Sequence, residues 1–293
     1  MNMGLALHKR RETGMASSFS YDFRGSEKNA HPLATPLDDN FLHALASELD
    51  NDSIVGIMLG GSYARGEATP YSDVDLACFM KENVPPPPKR FFYREDRLIS
   101  VANKTVAGMR ADLLRPERAI LFVSGSHRVL LDKDGSVTTL IYDMEAFRWE
   151  PLQEAADHYA SFQIMILAER VHKILSELLK DDDLALALAV SEFLHYLTEL
   201  VAVQRGVLIK SESTYYRQVQ AAVGVDTDWT RYHRCVIGVS TDGQSVISSL
   251  NLRDRAVAAL RLYQETVKLL QSTLQSTHLS VAQGAVQVIS TVV

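Results

Sequence analysis

Apolar and polar positions along the chain change period near residue 146. Between residues 36 and 145 the apolar residues come in short runs bounded by glycine, proline or charge. Phe41, Leu42, Leu45 and Leu49 fall at helical spacing between a start at Pro36-Leu37-Asp38-Asp39 and a stop at Asp50-Asn51-Asp52. Ile54 to Leu59 and Asp73 to Phe79 read as strands, and Phe91–Arg94 with Leu98–Val101 flank Glu95-Asp96-Arg97 as the arms of a hairpin. Ile120–Val123 and Val129–Asp132 read as further strands, Thr105–Leu114 as a helix, and Asp132-Lys133-Asp134-Gly135 as a tight turn. Pro85-Pro86-Pro87-Pro88 cannot continue a strand and predicts a stiff, exposed connection.

Beyond residue 146 the period becomes that of long helices. Leu152, Ala155, Tyr159, Phe162, Ile166, Val171, Ile174 and Leu178 form one stripe, closed by Asp181-Asp182-Asp183. Leu184 to Arg205 is more apolar all round and is expected at the centre of a bundle. Ser211 to Thr214 is a start signal for a helix over Tyr215–Val223, with Gly224 as its stop, and Trp229–Ile237 and Leu252–Leu270 follow. The division expected is an N-terminal arm (1–36), a strand-containing domain (37–145), an all-α helical bundle (146–275) and a C-terminal tail (276–293) in which no clear period shows.

Composition narrows the function classes. The 293 residues are 46% hydrophobic, enough for a substantial core. Thirty basic and 36 acidic residues give a net charge of −6, so nucleic acid is not an expected partner. The basic opening residues lead into no long apolar stretch, and the apolar runs are short for a bilayer, so neither a secretory signal nor a membrane is expected. Cys78 and Cys235 form neither a metal spacing nor a disulfide framework, which makes a reducing cytoplasm the expected location.

The chemistry concentrates between Leu59 and Asp75. Gly60-Gly61 turns the chain directly after a strand, and such a turn, with the Ser62 hydroxyl, can present N–H groups to phosphate oxygens. Asp73 and Asp75, two residues apart on a strand, share one face and repel unless a cation lies between them; Mg²⁺ takes one or two carboxylates together with substrate phosphates. Ordinary hairpin glycines beside strand-end aspartates would explain either half alone, but the combination at this spacing is uncommon.

Gly61-Ser62, ten intervening residues and Asp73-x-Asp75 resemble the signature of polymerase-β-type nucleotidyltransferases, and the two-domain layout resembles their aminoglycoside- and lincosamide-modifying members. The resemblance implies an α+β fold, a mixed β-sheet with helices followed by the bundle. It also implies Mg²⁺-dependent transfer of a nucleoside monophosphate from a triphosphate, with ATP expected, to a hydroxyl of a small molecule, such as an antibiotic. Gly61 and Ser62 would hold the triphosphate, Arg65 would neutralise it, and Asp73 and Asp75 would hold metal. The family's third carboxylate is expected on the second hairpin arm, where Ser100 stands; Glu95 is the nearest acid and the catalytic-base candidate, with Asp112 second.

In the bundle, Lys210, Tyr216 and Arg217 surround one helix start and are candidates to neutralise phosphates and stack a base, against a reading as surface cations beside core tyrosines. Glu169-x-x-His172 and Glu192-x-x-His195 also match the spacing of di-iron bundles. That chemistry needs two further inward glutamates and leaves the Gly-Ser and Asp-x-Asp stretch unexplained. Two rival functions remain: a nucleotide-binding regulator without turnover, and a transferase acting on a protein or an RNA end. Monomer and homodimer both stay open.

Overall fold

The computed structural model describes residues 34–122, 126–180, 182–240 and 251–293, so most of the expected N-terminal arm lies outside the described residues. Helix α1 (Asp39–Leu49) starts where the Asp38 carboxylate accepts the Asn40 N–H at 2.9 Å, and it buries Leu42, Leu45, Ala46 and Leu49. Strand β1 (Ile54–Leu59), the short helix α2 (Gly61–Arg65), β2 (Val74–Met80), β3 (Arg90–Arg94), β4 (Arg97–Thr105), helices α3 (Val106–Leu113) and α4 (Pro116–Phe122), β5 (Arg128–Asp132) and α5 (Ser136–Glu145) follow. The five strands lie in the order β3-β4-β2-β1-β5. β2 and β4 run parallel and the other pairs antiparallel, so the sheet is mixed. A parallel pair needs a crossover, which the proline run and β3 supply by carrying the chain past β4 and back. Val74, Leu76, Cys78 and Met80 pack under α1, while Met58 and Phe79 pack on the opposite side with Val106, Met109, Val137 and Leu140.

Two expectations in this half are corrected. Residues 120–122 of the expected strand lie in α4, and residue 123 is outside the described residues. A short apolar run does not distinguish a strand from a buried helical turn; here Pro116 opens the helix, and Ile120 packs into the bundle core. The strands, expected to continue to about residue 145, end with β5 at Asp132, which accepts the N–H and the hydroxyl of Thr138 at 2.9 and 2.6 Å and so caps the first turn of α5.

The second half is helical: α6 (Gln153–Lys180), α7 (Asp183–Gln204), α8 (Tyr215–Val223), α9 (Asp228–Ile237), α10 (Leu252–Leu270) and α11 (Ser276–Val292). By length and composition α7 is apolar enough to cross a membrane, contrary to the expectation that every apolar run is too short. Its Leu186, Val190, Phe193, Leu197 and Val201 are buried in the bundle core, which accounts for that composition. The expected C-terminal tail is helix α11, whose Ala282, Ala285 and Ile289 are buried at helical spacing. Alanine makes a weak stripe, so the period is hidden in the sequence; Ser161 fixes the start of α11 by accepting the Gln275 N–H at 2.9 Å and bonding His278 Nδ1 at 3.0 Å.

A buried polar chain locks α7, α8 and α9 together. Thr198 spends its hydroxyl proton on Leu194 O at 2.6 Å, so its oxygen accepts from His233 Nε2 at 2.9 Å. Gln220 Nε2 then donates to His233 Nδ1 at 3.0 Å, with its amide oriented by Arg234 Nε at 3.0 Å on Oε1. Burial opposes the charge of a second ring proton, and the nearby Arg234 cation adds to this, pushing the His233 pKa from 6.5 to about 3. The unfolded chain therefore takes up this proton first. Stability contributed by neutral His233 is complete above about pH 6.5 and is lost as pH falls towards 3. Urea unfolding at stepped pH is expected to show that slope, and His233→Gln to flatten it at a lower overall stability; an unchanged slope in the variant would remove the assignment.

Candidate active site

At the end of β1 the chain turns against β2, with the Gly60 N–H donating to Asp75 O at 2.9 Å. Gly61 follows at φ +65°, and a Cβ there would collide with Asp75 Oδ2, so glycine is required both by its conformation and by the carboxylate beside it. In the loop before β2, Thr69 N–H donates to Ser72 Oγ at 2.9 Å and fixes the approach to Asp73. Asp73 and Asp75 then share the sheet face that carries this turn. Burial, followed by the Asp73 charge, raises the Asp75 pKa; Lys89, a Ser100 hydrogen bond and Arg65 act against the rise.

This face floors a cavity of about 660 Å³, the size of a small-molecule site. Of the residues expected from sequence, Gly61, Ser62, Arg65, Asp73, Asp75 and Lys210 line it together. Lys210 arrives from the loop after α7, which is pinned to α4 where Ile209 N–H donates to Ile120 O at 2.7 Å. Arg65 is held by Glu67 at 2.8 Å.

Three expectations change. Glu95 is corrected: it sits exposed at the β3–β4 turn with φ +48° and does not line the cavity, because the strand that follows it brings Ser100, not an acid, level with Asp75. Asp112 is engaged by Lys104 and Arg118 at 3.8 and 3.5 Å and also lies outside the cavity lining. Tyr216 and Arg217 line a neighbouring pocket of about 360 Å³, which shares Glu212 and Ser213 with the main cavity. Tyr216 stands edge-on to His233, with ring centroids 4.9 Å apart.

The glutamate-histidine set of the long helices is dispersed. Glu192 pairs with Arg170 at 2.6 Å, His195 faces the smaller pocket, and Glu169 and His172 line a groove beside α11. Among the described residues no group of three or more His, Cys, Asp or Glu side chains is arranged to hold a metal.

Sequence reasoning missed Lys89, Lys104, His127 and Glu212 on the cavity wall. Alternation along β4, which puts Ser100, Ala102 and Lys104 on one face, was the available signal for Lys104. Burial lowers the pKa of Lys104, opposed by Asp112, and burial with the nearby Arg65 lowers that of His127.

Residues 41–130 match the model of the nucleotidyltransferase domain. Among solved structures it is similar to a nucleotidyltransferase-like protein from Exiguobacterium sibiricum 255-15, with 17% identity, a TM-score of 0.47, and coverage of 80% of this chain and 74% of that one. No curated protein matches the chain. A nucleotidyltransferase domain implies a nucleoside triphosphate as substrate and, typically, a divalent metal. The donor set fits such an ion. Two carboxylates repel each other on one face, with room beside them for phosphate oxygens to complete the coordination of a hard cation.

Gly61→Ala adds the colliding Cβ and forces an L-residue to positive φ, a conformational cost of about 1–2 kcal/mol before any displacement of Asp75. Urea unfolding is expected to show at least that loss, and calorimetry a weakened affinity for triphosphate; wild-type binding in the variant would separate the turn from the ligand.

Proposed function

We propose that the protein is a Mg²⁺-dependent nucleotidyltransferase that moves a nucleoside monophosphate from a triphosphate, ATP being the expected donor, to a hydroxyl of a small molecule. One observation carries the reading: the glycine turn and two carboxylates meet on the floor of a cavity whose wall bears Arg65, Lys89, Lys104 and Lys210. Cations around a carboxylate pair suit a polyphosphate that arrives with its own counter-ion. Asp73 and Asp75 would hold Mg²⁺, which when bound supplies positive charge to the phosphates.

The chain's own groups do the rest. The Gly61 backbone and the Ser62 hydroxyl orient the terminal phosphates, while Arg65 and Lys210 balance their charge. The acceptor oxygen forms its bond to the α-phosphorus as the bond from that phosphorus to the bridging oxygen breaks, and pyrophosphate leaves. With Glu95 outside the cavity, Glu212 is, among the described residues, the remaining carboxylate on its wall and the group assigned to take the acceptor's proton. Its position where the two pockets join suits an acceptor lying in the smaller pocket, against Tyr216 and Arg217. Hydroxylated antibiotics form one acceptor panel to test.

A second reading, nucleotide binding without turnover, is favoured by Ser100 standing level with Asp75. The two separate on incubation with each labelled triphosphate and an acceptor panel. Labelled product supports transfer, whereas triphosphate binding with no product from any acceptor supports the regulator. Asp73→Asn and Asp75→Asn are each expected to lower transfer by about two orders of magnitude or more, the scale of losing an electrostatic contribution to the transition state. Asp75→Asn should leave the metal-free protein at least as stable as wild type in thermal melts, since it removes a carboxylate that burial and Asp73 disfavour.

A further inference from the structure

The row of side chains that contains Asp75 continues across two more strands. Asp75 is level with Ser100 on β4, and Ser100 with Phe91 on β3. Directly opposed residues share a face, so the row presents a carboxylate, a hydroxyl and an aromatic ring in turn. Ser100 is only 1% exposed, and its place level with Asp75 favours the ionised form of that carboxyl. The strand beside the acids thus sets a hydroxyl next to Asp75 where a carboxylate would have made a third ligand. Among the described residues, Asp73 and Asp75 alone form a donor set for one hard cation, completed by phosphate oxygens and water; two cations would share too few protein oxygens.

Beyond Ser100 the row ends under a fixed positive charge. Lys89 directly follows Pro85 to Pro88, whose locked φ angles make the connection stiff. Asn103 Nδ2 donates to Pro88 O at 3.2 Å and ties the end of that run to β4. The Lys89 ammonium lies 4.8 Å from the centroid of the Phe91 ring and lines the cavity. The proline run and the ring therefore hold a cation at the β4 side of the carboxylate pair.

We propose that this site is built for a single divalent ion, and that the Lys89 ammonium supplies, on the β4 side, the positive charge a second ion would bring to the bound phosphates. The inference rests on the triphosphate-and-metal reading above and adds which residue completes the charge. An ammonium donates hydrogen bonds to phosphate oxygens from a fixed place but adds no coordination site, so the site's metal requirement is one ion per chain.

The test counts ions rather than turnover. Mn²⁺ is titrated into the full chain with a non-hydrolysable triphosphate analogue and free ion is read by electron paramagnetic resonance, while analogue affinity is measured by calorimetry. Wild type is expected to bind one Mn²⁺ per chain with the analogue. Lys89→Met, at an exposed position, should keep one ion and lose about tenfold in analogue affinity, the loss of one close charge contact, with Lys89→Arg restoring most of it. Ser100→Asp combined with Lys89→Met should bind a second Mn²⁺, circular dichroism first establishing that this variant is folded. Two ions in wild type, or unchanged analogue affinity in Lys89→Met, overturns the proposal. One bound ion with the analogue but no transfer product sinks the turnover reading and leaves this inference standing; no ion bound at all overturns both.

Discussion

Asp73 and Asp75 crowd two negative charges onto one face of a sheet, and the groups around them follow from that repulsion. Burial and the neighbouring charge both disfavour ionised Asp75, while Ser100, Lys89 and Arg65 partly offset the cost without removing it. Gly61 belongs to the same arrangement: only a residue without a Cβ lets the turn approach the Asp75 carboxylate. On the proposed function such a site suits a cation with phosphates attached, whose arrival would satisfy the carboxylates and the surrounding lysines together.

Sheet order turns this local constraint into a cavity. Because β3 is carried past β4 before the chain returns, β4 pairs parallel with β2 and brings Ser100, Ala102 and Lys104 alongside the aspartates. The proline run that makes the crossing is also what sets Lys89 in place. The loop after α7 reaches the same cavity through the Ile209 to Ile120 hydrogen bond, which fixes Lys210 and Glu212 relative to the sheet. The His233 chain behind them holds α7, α8 and α9 at one spacing and with them the ring of Tyr216. Rigid support of this kind is what the proposed phosphate site would require.

The sequence by itself determined the features whose physics is local. Glycines after an apolar run, aspartates two apart and helical stripes of large apolar residues are read within a few residues of each other, and Gly61, Ser62, Arg65, Asp73 and Asp75 line one cavity. Where the deciding contact was distant, the reading failed. Ile120 looked like a strand because an apolar run carries no period of its own, and bundle packing made it helical. Helix α11 was hidden because its buried face is mostly alanine, whose small side chain marks no stripe until α6 lies against it. Glu95 was chosen by proximity in the chain, yet cross-strand register decides which side chain stands level with Asp75, and that register belongs to Ser100. Lys89, Lys104, His127 and Glu212 reach the cavity from four separate segments. Only tertiary structure decided their presence there, since charge acts through space and the sequence records only order along the chain.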